Sequence, residues 1–100
     1  MSLDPYDVPH GPLSAAHRLE IARRERLRRV HELLVLADRI DEPSYDPLER
    51  LRAVEHVEIQ LGRVRRAAVQ EAVEGGLSWR IVGHALGLSA GTARRRFESG

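Results

Sequence analysis

The chain has one hundred residues, with sixteen arginines, fifteen acids, no lysine and a formal net charge of +1, so its total charge excludes nothing about nucleic acid. Hydrophobic content of 42% and charged content of 31% fit one soluble globular domain with a modest core. The lack of cysteine excludes disulfides and thiolate metal sites. No basic-then-apolar leader opens the chain, and no stretch approaches the ~18 apolar residues of a membrane span. A cytoplasmic protein with no membrane partner is expected.

Charge distribution says more than its sum. Residues 1–60 carry nine arginines against twelve acids, and residues 61–100 carry seven against three. The basic character is therefore concentrated at the C-terminal end. The exclusive use of arginine is the mark of a GC-rich genome, and it also suits bidentate contacts.

Residues 1–12 read as an irregular arm, punctuated by Pro5, Pro9, Gly11 and Pro12. Asp4 and Asp7 make it acidic, and it has no basic residue to place in a minor groove. A mobile arm, or one packed on a partner through Tyr6 and Val8, is expected.

The first long helix is expected from about Leu13 to about Ile40, with Ser14 as a possible N-cap. Leu19, Ala22, Leu27, Val30, Leu33, Leu34, Ala37 and Ile40 trace its apolar stripe. Between Arg23 and Arg29 lie five arginines and one glutamate. That run is either a second DNA contact or a solvated face with snorkelling stems. Glu25 and Arg29, four apart, stand in the favourable order for an ion pair.

Pro43 ends that helix within the turn Asp41–Asp46. A strong helix start follows: Asp46 caps, Pro47 takes the first helical position, and Glu49 is placed to bond back. The second helix runs from Pro47 to about Glu74, where Gly75-Gly76 stops it. Leu51, Val54, Val57, Leu61, Val64, Ala68 and Ala72 form its stripe. Some 28 residues at ~1.5 Å each make a rod of roughly 40 Å. A short turn between two such rods predicts an antiparallel hairpin over residues 13–76. Leu33, Leu34, Val35 and Leu36 cannot all face one partner helix. Their cover is either the C-terminal helices of the same chain or a second copy; a homodimer through the hairpins is the favoured expectation.

Ser78 can cap a third helix, with Leu77 and Val82 placed for a hydrophobic staple. Ile81, Val82, Ala85 and Leu86 predict its buried face. Gly87 permits a left-handed turn, Leu88 plugs it, and Ser89 caps a fourth helix. Ala93 and Phe97 give that helix one apolar edge, and Arg94, Arg95 and Arg96 cover much of the rest. Trp79 is expected as a core anchor between helices.

These offsets resemble a helix-turn-helix DNA-binding unit. Gly83 takes the small position four before the turn glycine. Leu88, Ser89 and Ala93 take the apolar, capping and buried aliphatic positions after it. With the helix before it, the match is similar to the tri-helical form of resolvase-type and sigma-region-4-like domains, within residues 61–100 and sharing the second long helix. Two positions depart from the pattern. Gly83 stands where alanine is usual, and Ala93 where valine or isoleucine is usual; both are expected to remove packing. The fold expectation is thus all-α: a long antiparallel helical hairpin followed by a C-terminal helix-turn-helix.

The resemblance implies that the fourth helix enters the major groove of double-stranded DNA. Ser89, Ala90, Gly91, Arg94 and Arg95 would lie near base edges. Arg80, Thr92 and Arg96 would meet phosphates. An arginine bidentate to guanine gives ~1–3 kcal/mol of discrimination. The implied role is a small bacterial transcriptional regulator at the nucleoid; an accessory module of a recombinase or plasmid-maintenance system shares that chemistry. The alternative is a protein-interaction module for a polymerase or sigma-factor partner, its helix-turn-helix degenerate. Catalytic, metal and cofactor chemistry are not expected. His31-Glu32 lacks the second histidine of the metalloprotease spacing, His56 and Glu58 point apart, and no glycine-rich phosphate loop is present.

Overall fold

The computed structural model describes residues 14–98; the expected arm at 1–12 lies outside them. Helix α1 spans Ala15–Asp38, α2 Pro47–Glu74, α3 Trp79–Leu86 and α4 Ala90–Phe97. A single 3-10 turn, Arg39–Asp41, follows α1, and there is no strand among the described residues. The fold is all-α. No described helix is long and apolar enough to cross a membrane.

Each helix starts on a side-chain cap. The Ser14 hydroxyl accepts from the His17 amide at 3.1 Å, and the Asp46 carboxylate accepts from that of Glu49 at 2.7 Å. Ser78 accepts from Ile81 at 3.3 Å, and Ser89 from Thr92 at 3.1 Å. Each bond satisfies one of the amides that a helix start leaves unpaired. The first helix is shorter than expected at both ends, because Ser14 is the cap itself and the chain tightens into the 3-10 turn after Asp38. Arg50 then secures the hairpin turn, its guanidinium donating to the carbonyl oxygens of Ile40, Glu42 and Tyr45.

α1 and α2 pack antiparallel. Arg18 meets Glu74 at 3.1 Å and Arg26 meets Glu71 at 2.6 Å, so the start of one helix lies beside the end of the other. The inward residues of α1 are Leu19, Ala22, Arg26, Arg29, Leu33 and Leu36, continued by Ile40 of the 3-10 turn. Those of α2 are Arg50, Ala53, Val57, Gln60, Val64, Ala67 and Glu71. All are buried or half-buried. Both series alternate steps of three and four, the spacing of a coiled-coil seam.

This seam corrects the sequence reading of both stripes. Only Val57 and Val64 of the α2 stripe face α1. Leu51, Val54, Leu61 and Ala68 lie on the flank of the helix and are exposed. In α1, Leu27 is likewise exposed. The apolar pattern did not mark the seam because the seam is partly polar, with Arg26, Arg29, Arg50, Gln60 and Glu71 in it. Of the four consecutive residues at 33–36, Leu33 and Leu36 enter the seam, and Leu34 and Val35 stay outside.

The far half of α2 carries the C-terminal pair. Val69, Val82 and Phe97 form its small core, packed by Ala72, Val73, Trp79, Leu86 and Leu88. Trp79 is half-buried there, as an anchor between helices. Ile81 and Ala85, expected to be buried, are exposed. They line a shallow apolar groove with Ala68 and Ala72 of α2.

Candidate nucleic-acid interface

Two glycine corners set the directions of α3 and α4. Gly76, at φ 99°, ends α2, with the Leu77 amide donating to the Ala72 carbonyl at 3.0 Å. Gly87, at φ 71°, ends α3, with the Leu88 amide donating to the Gly83 carbonyl at 2.8 Å. Both left-handed conformations suit glycine, and both bonds satisfy carbonyls that a helix end would leave open.

The second corner is closed by Gly83. A β-carbon there would lie 2.7 Å from the Leu88 carbonyl oxygen and 3.0 Å from that of Ser89. Ala93 is 0% exposed, directly below the corner in sequence and packed into the unit. The expectation that Gly83 leaves packing unfilled is therefore corrected. The backbone of the turn occupies the space where a side chain at position 83 would sit.

α4 buries Ala93 and Phe97 and turns Gly91, Arg94, Arg95 and Arg96 outward. Ser89 is exposed at the N-terminal end, and Ala90 and Thr92 are half-buried. Arg80 is exposed on α3. Arg96 lies beside Arg65 of α2 around a cleft floored by Leu86 and Leu88. The guanidinium of Arg66 sits 5.7 Å above the Phe97 ring, joining α2 to α4 by a cation–π contact.

Two of the candidate base-reading arginines are engaged within α4. Arg94 donates to the Glu98 carboxylate at 2.6 and 3.2 Å. That bond raises the arginine pKa and holds the Glu98 carboxyl below its ordinary range. Arg95 donates to the Thr92 hydroxyl oxygen at 3.2 Å, and the Ser89 hydroxyl donates to the same oxygen at 2.8 Å. The Thr92 hydroxyl oxygen thus accepts from both neighbours, and its own O–H stays available as a donor. Glu98 was missed in the sequence, although its spacing of four from Arg94 was there to be read. These contacts are surface-exposed, and such pairs contribute little against solvent screening, less than a bidentate guanine contact.

The five arginines between Arg23 and Arg29 fare differently. Arg23 and Arg24 pair with Glu20, Arg26 with Glu71, and Arg28 and Arg29 with both Glu25 and Glu32. The run is tied into an ion-pair network of five arginines and four glutamates, with the Glu25–Arg29 pair at 2.7 Å as expected. Among the described residues no three His, Cys, Asp or Glu side chains converge as a metal site.

The chain matches no family model, no curated protein and no solved structure.

Proposed function

We propose that this protein binds double-stranded DNA sequence-specifically, with α4 in the major groove, as a small bacterial transcriptional regulator working at the nucleoid. The observation that carries the reading is the outward arginine edge of α4 behind the Gly83–Gly87 corner. Gly91 offers no side chain at the N-terminal part of that edge, so the backbone can approach the base pairs closely. Arg94 and Arg95 then supply the base contacts, the first by leaving Glu98 for guanine. Arg80 and Arg96 meet phosphates. The protein acts as a homodimer, since such units read half-sites about one helical turn, ~34 Å, apart.

Selection of bound sites from random duplexes, followed by titration of variants, tests this reading. Arg94→Ala and Arg95→Ala should reduce specific binding far more than non-specific binding. Arg80→Ala should reduce both about equally. Equal losses for all three would overturn the assignment of roles. The engagement of Arg94 by Glu98 favours a second reading, a protein-interaction module in which α4 serves packing. Absence of duplex binding at low salt, where phosphate contacts are strongest, would decide for it.

A further inference from the structure

The described part of the chain buries very little. Its buried apolar side chains are Ala22, Ala67, Val69, Val82, Ala93 and Phe97, whereas Leu27, Leu34, Leu51 and Leu61 are all exposed, Leu51 to 67%. The Cα extent is only 16 Å in the thinnest direction, a single layer of helices.

The exposed leucines are not scattered. In an antiparallel coiled coil, positions that follow the second residue of each seam pair flank the same side in both helices. On one side of this hairpin the flank is polar: Arg39, Glu49 and His56 line one shallow cleft there, and Glu25, Arg63 and Gln70 another. The other side carries Leu27, Val30 and Leu34 from α1 and Leu51, Val54 and Leu61 from α2. It continues into the groove between Ala68 and Ala72 of α2 and Leu77 and Ile81 of α3. That groove, about 210 Å³, is small for a metabolite, whose pockets run ~300–1,000 Å³. It is suited to aliphatic side chains.

The pattern along this face is complementary to itself reversed. On α2, turning the sequence about a point between Leu61 and Gly62 sets Leu51 against Ala72 and Glu58 against Arg65, and brings Val54 within one residue of Ala68 and Leu61 within one residue of its own copy. On α1, turning it about position 32 sets Leu27 against Ala37 and Val30 against Leu34. Large meets small at Leu51–Ala72 and Leu27–Ala37, and acid meets base at Glu58–Arg65. The two centres also lie at one height. Arg18 stands opposite Glu74, and Leu36 borders one cleft with Ala53 and His56, which brings position 32 level with residues 60–61. Neither Glu58 nor Arg65 is in an ion pair within the chain among the described residues.

We propose that this face is where a second copy of the chain docks, α2 antiparallel to α2 about a two-fold axis between Leu61 and Gly62, with Glu58 of each copy paired to Arg65 of the other. Leu51 and Val54 of one copy enter the α2–α3 groove of the second. The inference rests on the dimeric part of the reading above and not on DNA binding. It also bears on that reading. Both α4 helices then fall on the same side of the dimer, each packed near Val69. The eight residues from Leu61 to Val69 place them ~24 Å apart along the rods at ~1.5 Å per residue, and further apart across them, approaching the ~34 Å of a helical turn.

Sedimentation equilibrium of the full chain, with Glu58→Arg, Arg65→Glu and the double exchange, tests the surface. Both positions are exposed, and circular dichroism with a thermal melt checks that each variant keeps its helices. Each single reversal sets like charges together twice per dimer and should weaken association about tenfold or more, and the double exchange should restore it to within about threefold. A wild-type chain that stays monomeric at ~100 μM, a micromolar dimer being the expectation for a specific interface, would sink the homodimer and this surface together. A wild-type dimer indifferent to the single reversals, or one weakened by them and not rescued by the double exchange, would leave the homodimer standing and overturn the surface.

Discussion

The Glu98 carboxylate holds the Arg94 guanidinium at 2.6 and 3.2 Å across one turn of α4. The acid lies at the C-terminal end of the outward edge formed by Gly91, Arg94 and Arg95. In the DNA reading it restrains the arginine and adds a negative charge beside the phosphates. Glu98→Gln removes both effects. Its expected result is tighter duplex binding by several-fold at fixed salt, with a steeper slope of log K against log salt. Each added phosphate contact steepens that slope by ~0.9. Fluorescence anisotropy across a salt series measures it, and unchanged binding would place Arg94 away from the duplex.

Gly83 and Leu88 determine whether the C-terminal unit folds. Gly83→Ala puts a methyl group 2.7 Å from the Leu88 carbonyl oxygen. That oxygen belongs to backbone whose amide already bonds the Gly83 carbonyl at 2.8 Å, so neither group can yield alone. A loss of about 1–3 kcal/mol is expected, as for overpacking generally. It should fall on α3 and α4 and spare the hairpin. Amide exchange resolves the two regions: protection should drop at Val82 and Ala93 and persist at Val64. A variant as stable as wild type would mean that the corner is looser than drawn.

How much of this was legible in the sequence depends on which residues carry each feature. The caps at Ser14, Asp46, Ser78 and Ser89 and the stop at Gly75-Gly76 are local chemistry, and the sequence places them within a residue or two. The seam is not local. Arg26 and Glu71 sit at inward positions because they pair with each other across 45 residues, and no apolar periodicity reveals such a pair. The strongest apolar pattern on α2, through Leu51 and Leu61, marks the exposed flank and drew the sequence reading to the wrong face. At the candidate site the outward arginines were legible from the offsets of Gly87, Leu88 and Ala93. The Thr92 hydroxyl, shared by Ser89 and Arg95, was not, since it depends on rotamers.

The hairpin should weaken in acid. The Arg26 guanidinium, hydrogen-bonded to Glu71, holds that carboxyl below its ordinary value of 4.5. Glu25 is lowered in the same way by Arg28 and Arg29. A carboxyl with a depressed folded-state pKa adds stability that is complete above the unfolded-chain value. That stability fades as pH falls through the folded one. The melting midpoint should therefore be flat near neutrality and drop by several degrees below pH 4.5. Glu71→Gln should melt lower than wild type at pH 7 and lose less on acidification. Parallel pH profiles for the two proteins would show that the pair contributes nothing measurable.

Gly91 sets stability against binding. It is exposed inside α4, and a β-carbon there would lie 3.5 Å from an Arg95 guanidinium nitrogen, an ordinary contact. Nothing in the fold requires glycine at this position, and glycine costs ~1 kcal/mol relative to alanine in a helix interior and less in the first turn, where Gly91 stands. Gly91→Ala should therefore raise the stability of the C-terminal unit by up to about 1 kcal/mol. If α4 enters a major groove, the added methyl group stands on the edge nearest the base pairs and forces the backbone outward. Specific binding should then fall tenfold or so in a more stable protein, a combination that loss of folding cannot produce. A thermal melt and a titration on the selected site give the two readings. A variant that gains stability and binds the duplex as tightly as wild type would remove Gly91 from the interface.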